Sequence, residues 1–213
     1  MKKLYCNNIF IRLTISLVGI VLLAESCSDM VSSASLYNKG INDYNNKNYS
    51  EALKLFQKAA DKGHADAMNY VGWMHKKGEG VSIDYKTAME WFQKAAKAGN
   101  SDAKNNIGWM YDKGEGITED NKTAVKWYIK GADAGNLSAI CNLAWMYQQG
   151  EGVSLDPKNA MRLYKRAAEA GSGDAMNSIG YLYDAGIGVE VDYEEAMKWY
   201  LKAANKDIAV AQF

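Results

Sequence analysis

The sequence predicts an all-α protein, an α-solenoid of stacked helical hairpins, on the strength of three observations. Each copy of a repeat carries apolar residues three and four positions apart, the spacing of an amphipathic helix. Glycines recur at the same turn positions of every copy, and the chain of 213 residues contains one proline. A short motif recurs every 36 residues, as Gly72-Trp73-Met74, Gly108-Trp109-Met110, Ala144-Trp145-Met146 and Gly180-Tyr181-Leu182. A unit this small cannot bury a core alone, so it must stack on its neighbours.

Residues 1–27 precede the repeats and have the layout of a secretory signal peptide. Lys2, Lys3 and Arg12 give a positive start, and residues 13–24 form an apolar run. As a helix this run would rise about 18 Å, short of the roughly 30 Å hydrocarbon core of a bilayer. The leader therefore predicts an exported protein.

The end of the leader, Ser26-Cys27, resembles the lipobox of bacterial lipoproteins, whose cysteine is lipidated and becomes the mature N-terminus. The resemblance implies a lipid anchor at Cys27 that holds the protein at a membrane of the cell envelope. Residues 28–35 would then be a short tether of at most about 28 Å. Two alternatives stay open: ordinary cleavage at the small-x-small sequence Ala24-x-Ser26, giving a soluble periplasmic or secreted protein, and an uncleaved anchor.

The unit at residues 101–136 illustrates why each copy folds as two helices. Asn100 or Ser101 can cap a first helix that ends at Gly114, because glycine readily adopts the left-handed C-cap conformation. Asp120 can cap a second helix that ends at Gly135. In the next copy Pro157 follows the equivalent aspartate and falls on the first helical position, where its missing N–H costs nothing.

Small residues recur where the two helices of a unit would meet. They are Gly72, Gly108, Ala144 and Gly180 on the first helices, and Ala88, Ala124, Ala160 and Ala196 on the second helices. The bulky residues expected to fill the remaining core are Trp91, Trp127, Leu163 and Trp199.

The repeated pattern Gly-Trp-Met-Tyr-x-x-Gly-Glu-Gly-Val-x-x-Asp-x-x-x-Ala-x-x-Trp-Tyr resembles the Sel-one-like repeat family, a branch of the tetratricopeptide-like helical repeats. Its copies are residues 65–100, 101–136, 137–172 and 173–208. Residues 33–64 resemble the shorter tetratricopeptide unit, because Leu36, Gly40, Ala52 and Phe56 fit but the Gly-Glu-Gly-Val turn is absent. The resemblance implies a right-handed superhelix of helical hairpins.

The C-terminal end of the array departs from the pattern. Asp207 replaces the closing glycine of earlier units, and residues 209–213 are expected to begin an incomplete first helix. Terminal units of solenoids normally carry a polar cap, which the sequence does not show here. We therefore expect an open apolar end face and, through it, weak end-to-end self-association.

The resemblance implies that the first helices line a concave surface on which ligands lie. Along it we expect a row of asparagines beside a row of aromatic residues, because positions four apart share one face of a helix. Amides donate and accept hydrogen bonds, and aromatic rings supply contact area, so the pair suits an extended peptide. These candidate binding residues are Asn69, Trp73, Asn105, Trp109, Trp145, Asn177 and Tyr181, with Cys141 at the remaining asparagine position.

Three alternatives stay open for this surface. The tryptophans and asparagines can serve packing alone, because repeats share residues wherever they share packing. The same aromatic row can also bind a cell-wall glycan. Nearby polar residues are expected to form a solvated face: Lys76, Lys77, Lys113, Gln148 and Gln149.

Charge and motifs argue against several classes of function. The chain has 25 basic and 25 acidic residues, and the leader contains three basic residues and one acidic residue, so no basic footprint for nucleic acid exists. The two histidines, His64 and His75, lack metal-ligand spacing, and the Gly-x-Gly turns follow no strand, unlike phosphate loops. We expect no catalytic residue, no metal and no cofactor.

The sequence therefore predicts a non-enzymatic repeat protein of the cell envelope that binds a protein or peptide partner as a scaffold or adaptor. The alternative is a relative of the secreted cysteine-rich repeat proteins that bind or hydrolyse β-lactams. Those relatives carry a cysteine pair in each unit, whereas this array contains Cys141 alone.

Overall fold

The computed structural model describes residues 33–211, with side chains described as far as residue 206. These residues form ten helices and contain no β-strand. The leader, Cys27 and most of the tether lie outside the described residues. Within the described part of the chain, no helix combines the length and apolarity that crossing a membrane requires. The helices are α1 (33–45), α2 (Tyr49–Asp61), α3 (Ala65–Lys77), α4 (Tyr85–Lys97), α5 (Ser101–Lys113), α6 (Asn121–Asp133), α7 (Leu137–Gln149), α8 (Pro157–Glu169), α9 (Gly173–Ala185) and α10 (Tyr193–Ala211).

Odd-numbered helices are the first helices of the units and even-numbered helices are the second. Within each full unit the two helices pack as a hairpin, and each second helix also packs against the first helix of the next unit. The helices α5 and α7 touch directly, so successive first helices lie side by side. The predicted all-α solenoid of hairpins is confirmed.

The helix ends are those that the sequence predicts. Asn100 Oδ1 accepts a hydrogen bond from the backbone N–H of Ala103 at 2.7 Å, and Asp120 Oδ1 accepts one from Thr123 N–H at 3.0 Å. Gly114 ends α5 in the left-handed region, with φ of 64°. Pro157 is the first residue of α8. Each cap satisfies a backbone group that the helix itself leaves without a partner.

The core of the hairpins α3–α4 and α5–α6 differs from the expectation by one residue. A Cβ added to Gly108 would lie 2.7 Å from Tyr128 Cδ1, and Gly72 meets Phe92 at the same distance. These aromatic rings are fully buried, whereas Trp91, Trp127 and Trp199 are only half-buried.

The expectation that these tryptophans fill the core is therefore wrong; only Leu163 of that set is buried. One residue is about 100° of helix rotation, enough to move a side chain from the core to its edge. A lysine three residues later covers the outer face of each tryptophan, as Lys130 Nζ does at 4.1 Å from the Trp127 ring centroid.

The first unit has a polar outer face, which we call the N-terminal face and define by Ser35, Lys39 and Asn42. All three residues are exposed. Their equivalents in α3 are the fully buried Ala67, Val71 and Met74, and the same three positions are buried in α5, α7 and α9. The chain thus replaces an apolar stacking surface with polar residues where no described unit precedes it.

The last unit has no such polar face. Tyr193 and Met197 of α10 are 70% and 58% exposed and define the C-terminal face. The equivalents of Met197 in α4, α6 and α8 are 9%, 5% and 6% exposed, because the next unit covers them. Among the side chains that the structure describes, which reach residue 206, nothing covers Met197 in this way.

The chain beyond this face differs from the expectation. Residues 209–211 do not begin a new first helix; they continue α10, which runs unbroken to Ala211. In earlier units a glycine with positive φ, such as Gly135 at 82°, ends the second helix. Asp207 at the equivalent position lacks the freedom of glycine in that region, so the helix goes on.

Candidate functional site

The first helices share one groove. A cavity of about 390 Å³ is lined by Trp73 of α3, Asn105 and Trp109 of α5, and Cys141 of α7. A second cavity of about 550 Å³ lies further along and is lined by Trp145, Asn177, Tyr181 and their neighbours. Each sequence-predicted binding residue except Asn69 thus borders one of two openings on the same side of the solenoid.

The aromatic row, Trp73, Trp109, Trp145 and Tyr181, is partly open to solvent. Trp109, Trp145 and Tyr181 are 37%, 36% and 50% exposed, and Trp73 is half-buried. The next residue in each case, such as Met110 after Trp109, is fully buried. Stacking of the repeats therefore uses the neighbouring position and leaves much of each aromatic ring available.

Lysines lie between successive tryptophans of this row. Lys76 Nζ is 5.6 Å from the ring centroids of both Trp73 and Trp109. Lys113 Nζ is 5.3 Å from the Trp109 centroid and 5.2 Å from that of Trp145. These distances are within the range of cation–π attraction, which holds the rings in place.

Lys76 corrects one expectation, because it is buried rather than part of a solvated face. Its side chain is 6% exposed, and its Nζ forms an ion pair with Glu115 Oε2 of the next unit at 2.8 Å. Lys113 pairs with the buried Asp112 at 3.2 Å. Lys77 is exposed, so the groove keeps a cation free of ion pairs at its α3 side among the described residues.

The asparagine row has a role between units. Asn69 Oδ1 accepts a hydrogen bond from Asn106 Nδ2 at 3.0 Å, and Asn105 Oδ1 accepts one from Asn142 Nδ2 at 2.9 Å. Each bond joins one first helix to the next. Asn177 is exposed beside Tyr181 in the second cavity. The side-chain oxygen atoms of Asn69 and Asn105 thus link successive first helices at the floor of the groove.

Sequence reasoning missed two contributors to this floor, Asn106 and Asn142. They lie one position after the asparagine row. The equivalent residues in the other two units are Tyr70 and Ser178, so this position does not carry the same residue in every repeat and the 36-residue period does not reveal it. The signal that could have revealed them is the Asn-Asn pair at Asn105 and Asn106.

Groups capable of chemistry are held in structural roles. Cys141 Sγ lies 3.7 Å from Ser172 Oγ, and burial raises the pKa of the thiol, which keeps it protonated and weakly nucleophilic. His64 Nδ1 accepts the N–H of Ala67 at the start of α3. Among the described side chains, no group of three or more His, Cys, Asp or Glu residues could hold a metal ion.

Comparison with known proteins agrees with this architecture. The Sel1 repeat family model matches residues 32–64, 65–100, 101–136, 137–172 and 173–208, including the shorter first unit. Among curated proteins, none matches the chain.

Solved structures show the same fold. The Sel1 repeat protein from Oxalobacter formigenes is 32% identical with a TM-score of 0.75, over 83% of this chain and 74% of that one. The protein c5321, a protective antigen of uropathogenic Escherichia coli strains with an SLR fold, is 31% identical with a TM-score of 0.69, over 82% of this chain and 38% of that one. The immunity protein Pa5087 from Pseudomonas aeruginosa is similar in fold alone, with 20% identity and a TM-score of 0.62 over 82% of this chain and 66% of that one. With five matched units over most of its length, the chain belongs to the Sel1 repeat family.

Proposed function

We propose that this chain is a non-enzymatic scaffold that binds an extended segment of a partner protein along the groove of its first helices. The observation that carries the proposal is the exposure of Trp109, Trp145 and Tyr181 at one position of three consecutive first helices. A residue kept only for packing would be buried like its neighbours Met110 and Met146. Members of the Sel1 repeat family generally mediate protein–protein interactions, which agrees with this use.

The chemistry of the groove suits an extended peptide. Rings held between lysines are pre-ordered, so little rotamer entropy is lost when a ligand covers them. The amides on the floor use their oxygen atoms between units, as Asn105 does with Asn142, and their N–H groups suit the carbonyl oxygens of a peptide backbone. The exposed Lys77 favours an acidic residue at the α3 side of the ligand.

A matched pair of substitutions tests this groove. Trp109→Ala and Trp145→Ala remove exposed rings of the aromatic row, and Ile129→Ala removes a side chain of similar exposure, 39%, on the second helix α6. The measurement is capture of envelope proteins by residues 28–213, with each captured protein identified by mass spectrometry. We expect both tryptophan variants to lose the same captured protein and Ile129→Ala to retain it.

Folding of each variant is checked by circular dichroism and thermal unfolding. If both groove variants stay folded and capture the same proteins as the unmodified chain, the groove is not the binding surface. Loss of capture by Ile129→Ala as well would indicate that the binding surface is not confined to the first helices.

We also propose that the protein is exported and held at a membrane by a lipid on Cys27. The support is the sequence of residues 1–27, with its positive start, apolar run and terminal Ser26-Cys27. Incorporation of labelled fatty acid into the unmodified chain, and its loss in Cys27→Ser, is the expected result. Label retained by Cys27→Ser would contradict the anchor.

A further inference from the structure

The first cavity of the groove carries one unpaired charge of each sign, on opposite sides. Lys77, the last residue of α3, and Asp174, the second residue of α9, both line this cavity, and both are exposed. Lys77 Nζ lies 4.9 Å from the Trp73 ring centroid, which holds the cation at the rim. Among the described residues, neither Lys77 nor Asp174 forms an ion pair, and no side chain donates a hydrogen bond to the Asp174 carboxylate.

The charged residues between these two sides cancel each other. Lys76 and Glu115, which also line the cavity, form an ion pair with a separation of 2.8 Å. The lining residues that α5 and α7 contribute are asparagines, a tryptophan, a serine and the protonated Cys141, all uncharged. The cavity is therefore positive at its α3 side, negative at its α9 side and neutral between them.

Asp174 is free because of one difference between the units. The equivalent Asp66 and Asp102 accept hydrogen bonds from the asparagines that cap the next first helices, α5 and α7. The residue at the equivalent position for Asp174 is Ile208, whose side chain has no donor. Asp66 and Asp102 are exposed although further units follow them, so exposure is a property of this position in the repeat.

The floor between the two charges presents a free donor and a free acceptor. Asn105 uses its Oδ1 and Asn106 uses its Nδ2 in the bonds between units. Asn105 Nδ2 and Asn106 Oδ1 have no partner among the described residues. These two groups match the C=O and N–H of one peptide unit. The floor thus suits an uncharged backbone, and charged side chains of a ligand are recognised at the two sides.

We propose that the partner segment carries an acidic side chain that lies over Lys77 and a basic side chain that lies against Asp174, with neutral residues between them. This inference rests on the proposed scaffold function and adds the charge pattern of the partner. Exposed ion pairs contribute little affinity, so the two charges act mainly on specificity. A segment turned end to end would place like charges together at both sides, so the two residues fix the orientation in which a segment binds.

Selection from a peptide library tests this charge pattern. The probe is a phage-displayed library of random segments of about twelve residues (~40 Å when extended) held between fixed glycines. It is selected on residues 28–213, which retain every described residue. Clones that bind Trp109→Ala equally well are discarded, so the remaining clones depend on the groove. We expect these clones to contain one acidic and one basic residue at a nearly constant spacing, because Lys77 and Asp174 are fixed in the fold.

Charge reversal at each side identifies the partner of each charge. Lys77→Glu should select basic residues where the unmodified chain selects acidic ones, and Asp174→Lys should select acidic residues where the unmodified chain selects basic ones. For a single selected peptide, each reversal should weaken binding roughly fivefold, since an exposed ion pair is replaced by like charges. The same peptide with its facing residue also reversed should regain the original dissociation constant.

The matched controls are Lys97→Glu and Glu194→Lys, which reverse the same charges on second helices. Lys97 is the last residue of α4, as Lys77 is of α3, and Glu194 is the second residue of α10, as Asp174 is of α9. Each control therefore has the same effect on a helix end as the groove variant that it matches. Both controls should select the same clones as the unmodified chain.

The possible results separate this inference from the scaffold function. Groove-dependent clones without a charge preference overturn the inference and leave the scaffold function intact. A preference that the two groove reversals leave unchanged, or that the two controls change equally, has the same meaning. A library that yields no clone dependent on Trp109 overturns both.

Milder variants cover the case in which a reversal prevents folding, as judged by circular dichroism. Lys77→Gln and Asp174→Asn remove each charge without reversing it. Lys77→Gln should lose the preference for acidic residues alone, and Asp174→Asn should lose the preference for basic residues alone. Retention of both preferences by both variants overturns the inference.

Discussion

At the scale of single residues, a buried aromatic ring opposite a glycine occupies the hairpin core in three units, as Phe56 does at Gly40, Phe92 at Gly72 and Tyr128 at Gly108. Tyr128 is fully buried against Gly108, and its hydroxyl donates to Asp112 Oδ2 at 3.1 Å. Burial, followed by the nearby Asp112 charge, raises the pKa of Tyr128 far above its usual value. Trp127, one residue earlier, is only half-buried.

This difference predicts an order of stability between two neighbouring substitutions. Tyr128→Ala should lower the free energy of unfolding by about 3–5 kcal/mol, because it opens a cavity and removes the hydroxyl that donates to the buried Asp112. Trp127→Ala should cost less than about 3 kcal/mol, within the usual range for point substitutions. Urea unfolding of both variants measures the order; a larger loss for Trp127→Ala would contradict the assignment of the core.

His75 occupies the position of Tyr111, Tyr147 and Tyr183, with its Nδ1 buried and without a hydrogen-bond partner. Burial lowers the pKa of His75, and the nearby Asp84 carboxylate opposes the shift. A lowered pKa means that the unfolded chain binds this proton more readily than the folded protein does. The stability that the neutral ring contributes is therefore complete above the ordinary pKa of about 6.5 and declines as the pH falls below it.

His75→Tyr, which introduces the residue of the other units, should remove this pH dependence. Thermal unfolding at pH 7.5 and at pH 5.5 should show a larger loss of stability for the unmodified chain than for the variant. Asp84 stays in place in both proteins, so the difference reports the histidine. Equal losses in the two proteins would mean that His75 does not protonate in this range.

At the scale of the elements, capping residues also join the units. Asn136 Oδ1 accepts the N–H of Ala139 at the start of α7, while its Nδ2 donates to Asp102 Oδ1 of α5, the preceding first helix, at 2.6 Å. Asn100 makes the equivalent bond to Asp66 at 2.7 Å. The sequence predicts the cap, but the second bond depends on how far apart two stacked helices lie.

Substitution of Asn136 separates these two roles. Asn136→Ala should lose both bonds and about 1–3 kcal/mol of unfolding free energy. Asn136→Ser should lose about half as much, because serine keeps the cap, as Ser172 does in the next unit. Chemical denaturation of both variants provides the comparison. Equal losses for the two would show that the bond to Asp102 contributes nothing.

At the scale of the whole molecule, the first and last described units differ in the polarity of their outer surfaces. The N-terminal face carries Lys39 and Asn42 where internal units bury an aliphatic residue and a methionine or leucine. The C-terminal face carries exposed Met197. Burying these polar residues against an apolar surface without partners would cost free energy, so we expect the N-terminal face to resist stacking.

Making the N-terminal face apolar should allow it to stack on the C-terminal face of another copy. Lys39→Val/Asn42→Met introduces the residues of α3 at these positions, Val71 and Met74. We expect head-to-tail assemblies larger than a dimer, detected by sedimentation velocity. Adding Met197→Lys to the same chain should abolish them. An unchanged mass for the first variant would show that the N-terminal face does not control association.

The sequence by itself determined the elements and their order. Its period, its caps at Asn100 and Asp120 and its proline at the start of α8 depend on contacts within a few residues, so they can be recognised without coordinates. The resemblance carried by the repeated pattern indicated the family for the same reason. The groove residues were also named from spacing, because one face of a helix follows from its rotation per residue.

Only the tertiary structure decided which side chains are buried and which remain free. The exchange of Trp127 for Tyr128 in the core, the burial of Lys76 and the exposure of Met197 all depend on the angle and distance between packed helices. One residue of rotation, or one missing neighbour, reverses burial while the sequence pattern stays the same. The physical reason is that burial of a side chain depends on how two helices pack against each other, whereas helix formation and capping depend on residues within one helix.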